Sequence, residues 1–251
     1  MGRPVTDTNE IRRLIDGYDA WYHCIEVAPG IVTPGIHDSR LELANLDLME
    51  LPRDLSGRRV LDVGCRDGFF SFEMEARGAE VVAIDYAPET HTGFTIVSKI
   101  LGCRTPYLVE NVYGLNPEEH GRFDVVLFLG VLYHLRNPLA ALDRIRSVTK
   151  PGGFLFLETQ LAKDSAVAGR DVPLWEFHPR DSLRDDGTNK WTPNFAALKA
   201  VVEEAEFTPL LGINRGDSAY VKARAVDDPE LAHYKELDVS TGMWGTREVP
   251  R

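Results

Sequence analysis

Cysteine is nearly absent. Cys24, Cys65 and Cys103 are the only three in 251 residues, and they show neither paired nor metal-ligand spacing. That excludes a disulfide framework and points to free thiols in a reducing cytosol. Missing too is any apolar run long enough to span a bilayer. Met1 to Glu10 is polar and lacks an apolar stretch, so no secretory signal is expected. Positive charge is scarce: 28 Lys and Arg stand against 39 Asp and Glu, a formal net charge of −11. Such a balance argues against a broad phosphate-binding surface and leaves room only for a local basic patch. No repeat and no low-complexity tract interrupts the chain.

What is present is organised around residues 58–70. The apolar run Val60 to Val63 ends in a glycine-bracketed turn, Gly64-Cys65-Arg66-Asp67-Gly68, and a helical pattern follows from Asp67. Strand, tight loop, helix is the construction that presents backbone N–H groups and a helix N-terminus to a ligand. A second apolar run, Val81 to Ile84, ends in Asp85. An acid at that strand tip is placed to accept from both ribose hydroxyls of a nucleoside. The glycines at 64 and 68, with Asp62 inside the strand end, do not make the G-x-G-x-x-G of a dinucleotide site.

Ahead of this centre, residues 8–21 carry apolar groups at helical spacing and predict an amphipathic helix. Trp21 to Gly35 is aromatic and apolar but broken twice by Pro and Gly. That composition reads as an arm packed on the core, or as a lid over the site with Tyr22, His23 and Glu26 facing inward. Leu41 to Leu51 predicts another helix, ended by Pro52. Strands are then expected at 59–63, 80–84, 105–109, 123–128 and 153–159, with helices at 67–77, 91–101 and 138–148 between them. Phe195 to Glu206 predicts a last helix, followed by strands 207–213 and 218–225, the second able to run antiparallel at the sheet edge. The whole is an α/β, doubly wound, mostly parallel seven-stranded sheet of Rossmann-like form with an N-terminal helical arm or lid. The divisions are 1–55 for the arm, 56–226 for the main domain and 227–251 for a polar tail carrying Tyr234 and Trp244.

In an open α/β sheet the ligand sits beyond the carboxyl ends of the strands. The nucleoside-binding candidates are therefore Asp62, Gly64, Cys65, Arg66, Gly68, Asp85, Tyr86, Asn111, Val112, Leu129 and Gly130. Arg66 stands where a glycine would tolerate strain and close approach, so its side chain should turn away and leave only backbone near the ligand. His134 at the fourth strand tip and Glu158 at the fifth are the candidates for proton transfer, with Tyr22, His23 and Glu26 from the arm. Each also has a plain structural reading, as a packed core group or a solvated one.

These segments carry a resemblance. The loop 62–70, Val131-Leu132-Tyr133-His134, Leu157-Glu158-Thr159 and the arm 21–35 resemble the wobble-uridine tRNA methyltransferase-like branch of class I S-adenosylmethionine (SAM) methyltransferases. That implies SAM as cofactor and methylation of an oxygen. Shorter members of the branch, which share a Trp-Pro segment like 189–194, are similar to small-molecule and sugar O-methyltransferases. A carbohydrate hydroxyl, such as that of a mannoside or oligosaccharide, is the acceptor this implies. A tRNA wobble uridine and a non-catalytic SAM-fold module stay open, as does a homodimer. Segment 170–190 mixes Arg170, Arg180, Arg184 and Lys190 with Asp171, Glu176, Asp181, Asp185 and Asp186, which suits a sugar better than a phosphate backbone. No motif marks a metal; Glu26, Glu158 and His178 are the residues that a Mg²⁺ would need to gather.

Overall fold

The computed structural model describes residues 3–163 and 166–226; the tail expected at 227–251 lies outside them. The chain begins with α1 (Thr8–Asp16), whose N-cap Asp7 accepts from the Asn9 and Glu10 N–H groups. The helix stops at Gly17 and does not run to 21. Tyr18 and Trp21 instead meet edge to face at 5.2 Å, and the Trp21 indole N–H donates to the Ile15 carbonyl. A two-stranded hairpin follows, β1 (Glu26–Ala28) with β2 (Ile31–Val32), then α2 (Arg40–Leu48).

From there strands and helices alternate: β3 (Arg59–Val63), α3 (Phe69–Ala76), β4 (Glu80–Asp85), α4 (Phe94–Leu101), β5 (Tyr107–Val109), α5 (Pro117–His120), β6 (Phe123–Leu129), α6 (Pro138–Val148) and β7 (Thr149–Gln160). A second hairpin, β8 (Trp175–Phe177) with β9 (Trp191–Pro193), precedes α7 (Phe195–Glu204), β10 (Phe207–Asn214) and β11 (Ser218–Ala225). Asn-Pro opens α5 and α6, the Asn oxygen accepting from the first turn and Pro filling N1. α3 starts two residues later than its periodicity predicts, because Asp67 is spent on tertiary bonds. α4 starts at Phe94, after a 3₁₀ turn at Glu89–His91 and Gly93.

The central sheet has the order β10-β11-β7-β6-β3-β4-β5. β3 to β7 are parallel, while β11 is antiparallel to both its neighbours. One expectation is corrected here: β11 is an inner strand and β10 forms the edge. The residues explain it, since Ala219 to Val221, Ala223 and Ala225 of β11 are buried, whereas Leu210 and Leu211 of β10 are exposed. Val60, Val125, Leu127 and Phe156 face one apolar cluster with the arm's Trp21, Ile25 and Val27; Leu61, Val126, Phe128 and Leu155 face the other with α6 and α7. Two packed faces leave the carboxyl ends of β3, β4, β6 and β7 to carry the chemistry.

Candidate active site

The loop from β3 to α3 is built from left-handed residues: Gly64 has φ +78°, Arg66 +50° and Gly68 +88°. A side chain at Gly64 would meet the Val131 methyl at 2.5 Å, so the loop lies hard against the turn after β6. Arg66 donates its N–H to Asp85 Oδ2 at 3.0 Å. Its guanidinium turns outward, 6.0 Å from the Tyr22 ring centroid, and reaches the His91 carbonyl. The residue thus keeps only backbone in the loop.

Asp85, 4% exposed at the tip of β4, takes the Arg66 N–H on one oxygen and the Ala87 N–H on the other. A carboxylate offers about four lone-pair sites, so two remain for a pair of hydroxyls. Below it Asp62 is buried and accepts from the Ser71 hydroxyl at 2.6 Å. Burial, aided by the nearby Asp85 charge, pushes the Asp62 carboxyl up to about 6. Cys65 is buried beside them, its thiol raised by burial. Across the sheet Asn111 caps its own turn through the Tyr113 N–H, Val112 is buried, and Tyr86 and Val109 stand exposed. Gly130, past Leu129, has φ +70°; a Cβ there would meet nothing nearer than the Tyr133 hydroxyl at 3.7 Å and Glu158 Oε2 at 3.9 Å. Open backbone at Gly130, left-handed turns at 64–68 and unspent lone pairs on Asp85 fit a nucleoside.

Tyr133 and His134 form the turn after β6, their ring centroids 4.2 Å apart. His134 Nδ1 lies 2.9 Å from the Thr188 hydroxyl, and that hydroxyl lies 2.6 Å from Asp186 Oδ1. Burial draws the His134 pKa below its ordinary value. Glu158, at the tip of β7, is pushed up to about 7, by burial first and by Glu42 next. Its charge is felt by Tyr22, Tyr133 and Tyr220 as well.

A family model described as a methyltransferase domain matches residues 37–210. The chain belongs to that family. Its sheet order and its loop make it a class I, SAM-dependent methyltransferase. It is similar to the ubiquinone biosynthesis O-methyltransferase of Xanthomonas euvesicatoria pv. vesicatoria (strain 85-10), at 34% identity over 163 residues, which are 61% of this chain and 68% of that protein. In fold it matches the N-terminal domain of EvdMO1, solved in the presence of SAH and D-fucose: TM-score 0.62, 22% identity, 90% of this chain and 99% of that one. It likewise matches the Burkholderia thailandensis 1,6-didemethyltoxoflavin-N1-methyltransferase with bound 1,6-didemethyltoxoflavin and S-adenosylhomocysteine, at TM-score 0.55 and 18% identity, over 90% and 94% of the two chains.

In this methyltransferase the arm's candidates part ways. Tyr22 faces Glu158 and stacks on His37 at 5.3 Å. His23 is a core residue, 5% exposed, packed on Phe69 and Phe70 and with Nδ1 unpartnered; burial lowers its pKa to about 4. Glu26 does not face inward. Alternation along β1 turns Ile25 and Val27 to the core and leaves Glu26 exposed, where its carboxylate accepts from the Gly30 N–H at 2.9 Å. His178 sits in the second hairpin, 2.7 Å from the Thr192 hydroxyl. Glu26, Glu158 and His178 are therefore not brought together. No cluster of three or more His, Cys, Asp or Glu suited to a metal occurs among the described residues. No helix there is long and apolar enough to cross a membrane.

Three elements of the site escaped the sequence reading. Asp67 is fully buried and accepts from the Tyr22, His23 and Gly93 N–H groups at 2.7, 2.8 and 2.7 Å. His37 and Glu42 form an ion pair at 3.1 Å beside Glu158, and that hydrogen bond raises the His37 pKa. Asp186 and Thr188 dock on His134. Only the last had a local signal, since D-x-T is an Asx-turn pattern; the other partners are 26 or more residues away or carry no motif.

Proposed function

We propose that the chain transfers a methyl group from SAM to a hydroxyl of a small polyhydroxylated acceptor of the carbohydrate class, with His134 as the general base. SAM supplies, when bound, an electrophilic methyl on a sulfonium sulfur. Gly64, Arg66 and Gly68 would cradle it with backbone, Asp85 would take the ribose hydroxyls, and Tyr86, Asn111 and Val112 would flank the base. An alcohol oxygen is a poor nucleophile until its proton has somewhere to go. The observation that carries the reading is His134 itself: it sits at the tip of β6 beside Gly130, with Nε2 free of any hydrogen bond among the described residues. Its lowered pKa keeps the imidazole neutral, and so basic, at physiological pH. Glu158 and Tyr133 line the same end of the sheet and would orient the acceptor.

The carbohydrate class draws support from the segment between β7 and α7. A cavity of about 140 Å³ there is lined by Gln160, Glu176, His178, Arg184, Thr192 and Asp217, and Phe177 and Trp191 pair beside it at 4.8 Å. Carboxylates for hydroxyls and aromatic faces for C–H surfaces suit a sugar. A phenolic acceptor is the second reading, favoured by the similarity to a ubiquinone biosynthesis O-methyltransferase.

The test uses SAM labelled in its methyl group with methyl α-mannoside, D-fucose and catechol as acceptors. Label should pass to a sugar. His134→Ala should bind S-adenosylhomocysteine normally while transfer falls by about 10²–10⁴-fold, the usual worth of a general base. The wild-type rate should rise with pH with its midpoint below the ordinary imidazole value of about 6.5, and the variant should lose that rise. Label on catechol alone would favour the phenolic reading. A fully active His134→Ala would remove the histidine from the chemistry.

A further inference from the structure

We infer that Asp186 and Thr188 are positioning residues that hold His134 as its Nδ1–H tautomer, so that Nε2 is the bare, proton-accepting nitrogen. The inference rests on the reading of His134 as the base. It follows from counting protons. Asp186 Oδ1 receives both the N–H of Thr188 at 2.8 Å and its hydroxyl at 2.6 Å. That second distance is the length of a charge-assisted O–H···O⁻ bond, and those bonds hold the Asp186 carboxyl below its usual range, hence ionised and able only to accept. A hydroxyl has a single proton to give. With that proton committed to Asp186, the Thr188 oxygen can only accept from His134, 2.9 Å away. Nδ1 must carry the hydrogen.

The relay is held in place from both sides. Lys190 donates its N–H to the Tyr133 carbonyl at 2.8 Å, docking the loop on the turn that bears His134. Asn189 donates to the Leu183 carbonyl at 3.0 Å, and the Lys190 ammonium caps the Gly187 carbonyl. The groups facing His134 are Asp186 and Lys190 from this loop and the Tyr133 ring from its own turn. Asp186 favours the imidazolium and Lys190 opposes it. Neutralising Asp186 should therefore lower the histidine's pKa.

Nitrogen NMR of ¹⁵N-histidine-labelled full-length protein, with His134→Gln to assign the signal, reads the tautomer with no acceptor present. Wild type should show Nδ1 protonated and Nε2 bare at neutral pH. Thr188→Val should lose that preference, and Thr188→Ser should restore it. Asp186→Asn, whose amide oxygen still accepts the Thr188 N–H and hydroxyl, should keep the tautomer while losing the charge, and so move the titration to lower pH; Asp186→Ala, which frees the hydroxyl to face Nδ1, should lose the preference. With methyl α-mannoside as acceptor, Thr188→Val should lower kcat about 10–100-fold without changing S-adenosylhomocysteine affinity, and Thr188→Ser should rescue it. A wild-type His134 protonated on Nε2, or a Thr188→Val protein with an unchanged tautomer, would overturn the relay. An altered tautomer with an unchanged rate would instead overturn His134 as the base.

Discussion

Asp85 and Asp62 are two carboxylates a few residues from one loop, and their partners set them to different tasks. Asp85 spends its backbone bonds on Arg66 and Ala87 and keeps lone pairs in reserve. Asp85→Ala should weaken S-adenosylhomocysteine binding by about 1.5–3 kcal/mol, the scale of hydrogen bonds to a charged group, as read by calorimetry. Asp62 is sealed beneath it. Its carboxyl titrates at about 6 in the folded protein, against 3.8 as the ordinary value. Between those values the folded state binds a proton that the unfolded chain has released. Stability from this group is thus full below the lower value and is lost as pH rises through 6, a change of about 3 kcal/mol at most. Asp62→Asn keeps an acceptor for Ser71 and removes the titration. Thermal unfolding of that variant should lack the fall between about pH 4 and 6 that the wild type shows.

At the scale of elements, the arm's packing follows from Asp67. Its carboxylate ties Tyr22 and His23 to the cofactor loop and, through Gly93, to the start of α4. Further along, Thr33 bonds both the Ile25 N–H and the His23 carbonyl, and a side chain at Gly35 would fall 2.2 Å from the His23 backbone. The segment expected as a lid is therefore fastened at its root. What stands free is Ile36 and Leu41, 85% and 73% exposed. Hydrogen exchange should show slow amides at 22–25 without ligand, with protection gained on adding S-adenosylhomocysteine and methyl α-mannoside confined to 34–41. Asp67→Ala should cost about 3–5 kcal/mol in denaturant unfolding, since three buried donors lose a charged acceptor. Asp67→Asn, with one acceptor oxygen, should fall between.

Elements with local punctuation were legible in the sequence. Asn137-Pro138 opens α6, and its predicted bounds of 138–148 are the observed ones. β3, with its apolar run and following glycine, also falls where expected. β7 begins at Thr149 rather than 153: Thr149 already pairs with Phe123 of β6, and Pro151-Gly152-Gly153, which reads as a turn, falls in the register shift before Phe154 pairs with Val125. The hairpins β1–β2 and β8–β9 were not read, their strands being two or three residues long and below any period-2 signal. The same limit hid the roles of Asp67 and Thr188, which exist only once distant segments meet.

For the whole molecule, the formal charge of −11 bears on what can approach the sheet's open end. Charges there are mixed: Arg184 pairs with Asp217 at 3.2 Å, and Lys190 lies beside Asp186. Bulk tRNA should bind with a dissociation constant no tighter than about 10⁻⁵ M at physiological salt, and with a shallow salt slope. Fluorescence anisotropy across a salt series checks it; tight, steeply salt-dependent binding would favour the nucleic-acid acceptor.

The stretch between β7 and α7 adds no strand to the central sheet, yet it lines a cavity and holds the partner of His134. Most of the cavity lining and the partner of His134 thus lie in one contiguous stretch, apart in sequence from the 64–68 loop and Asp85. A graft of a foreign 163–194, which spares the buried Leu161 and Ala162, should leave S-adenosylhomocysteine affinity unchanged while altering the partner of His134 and the wall of the cavity together.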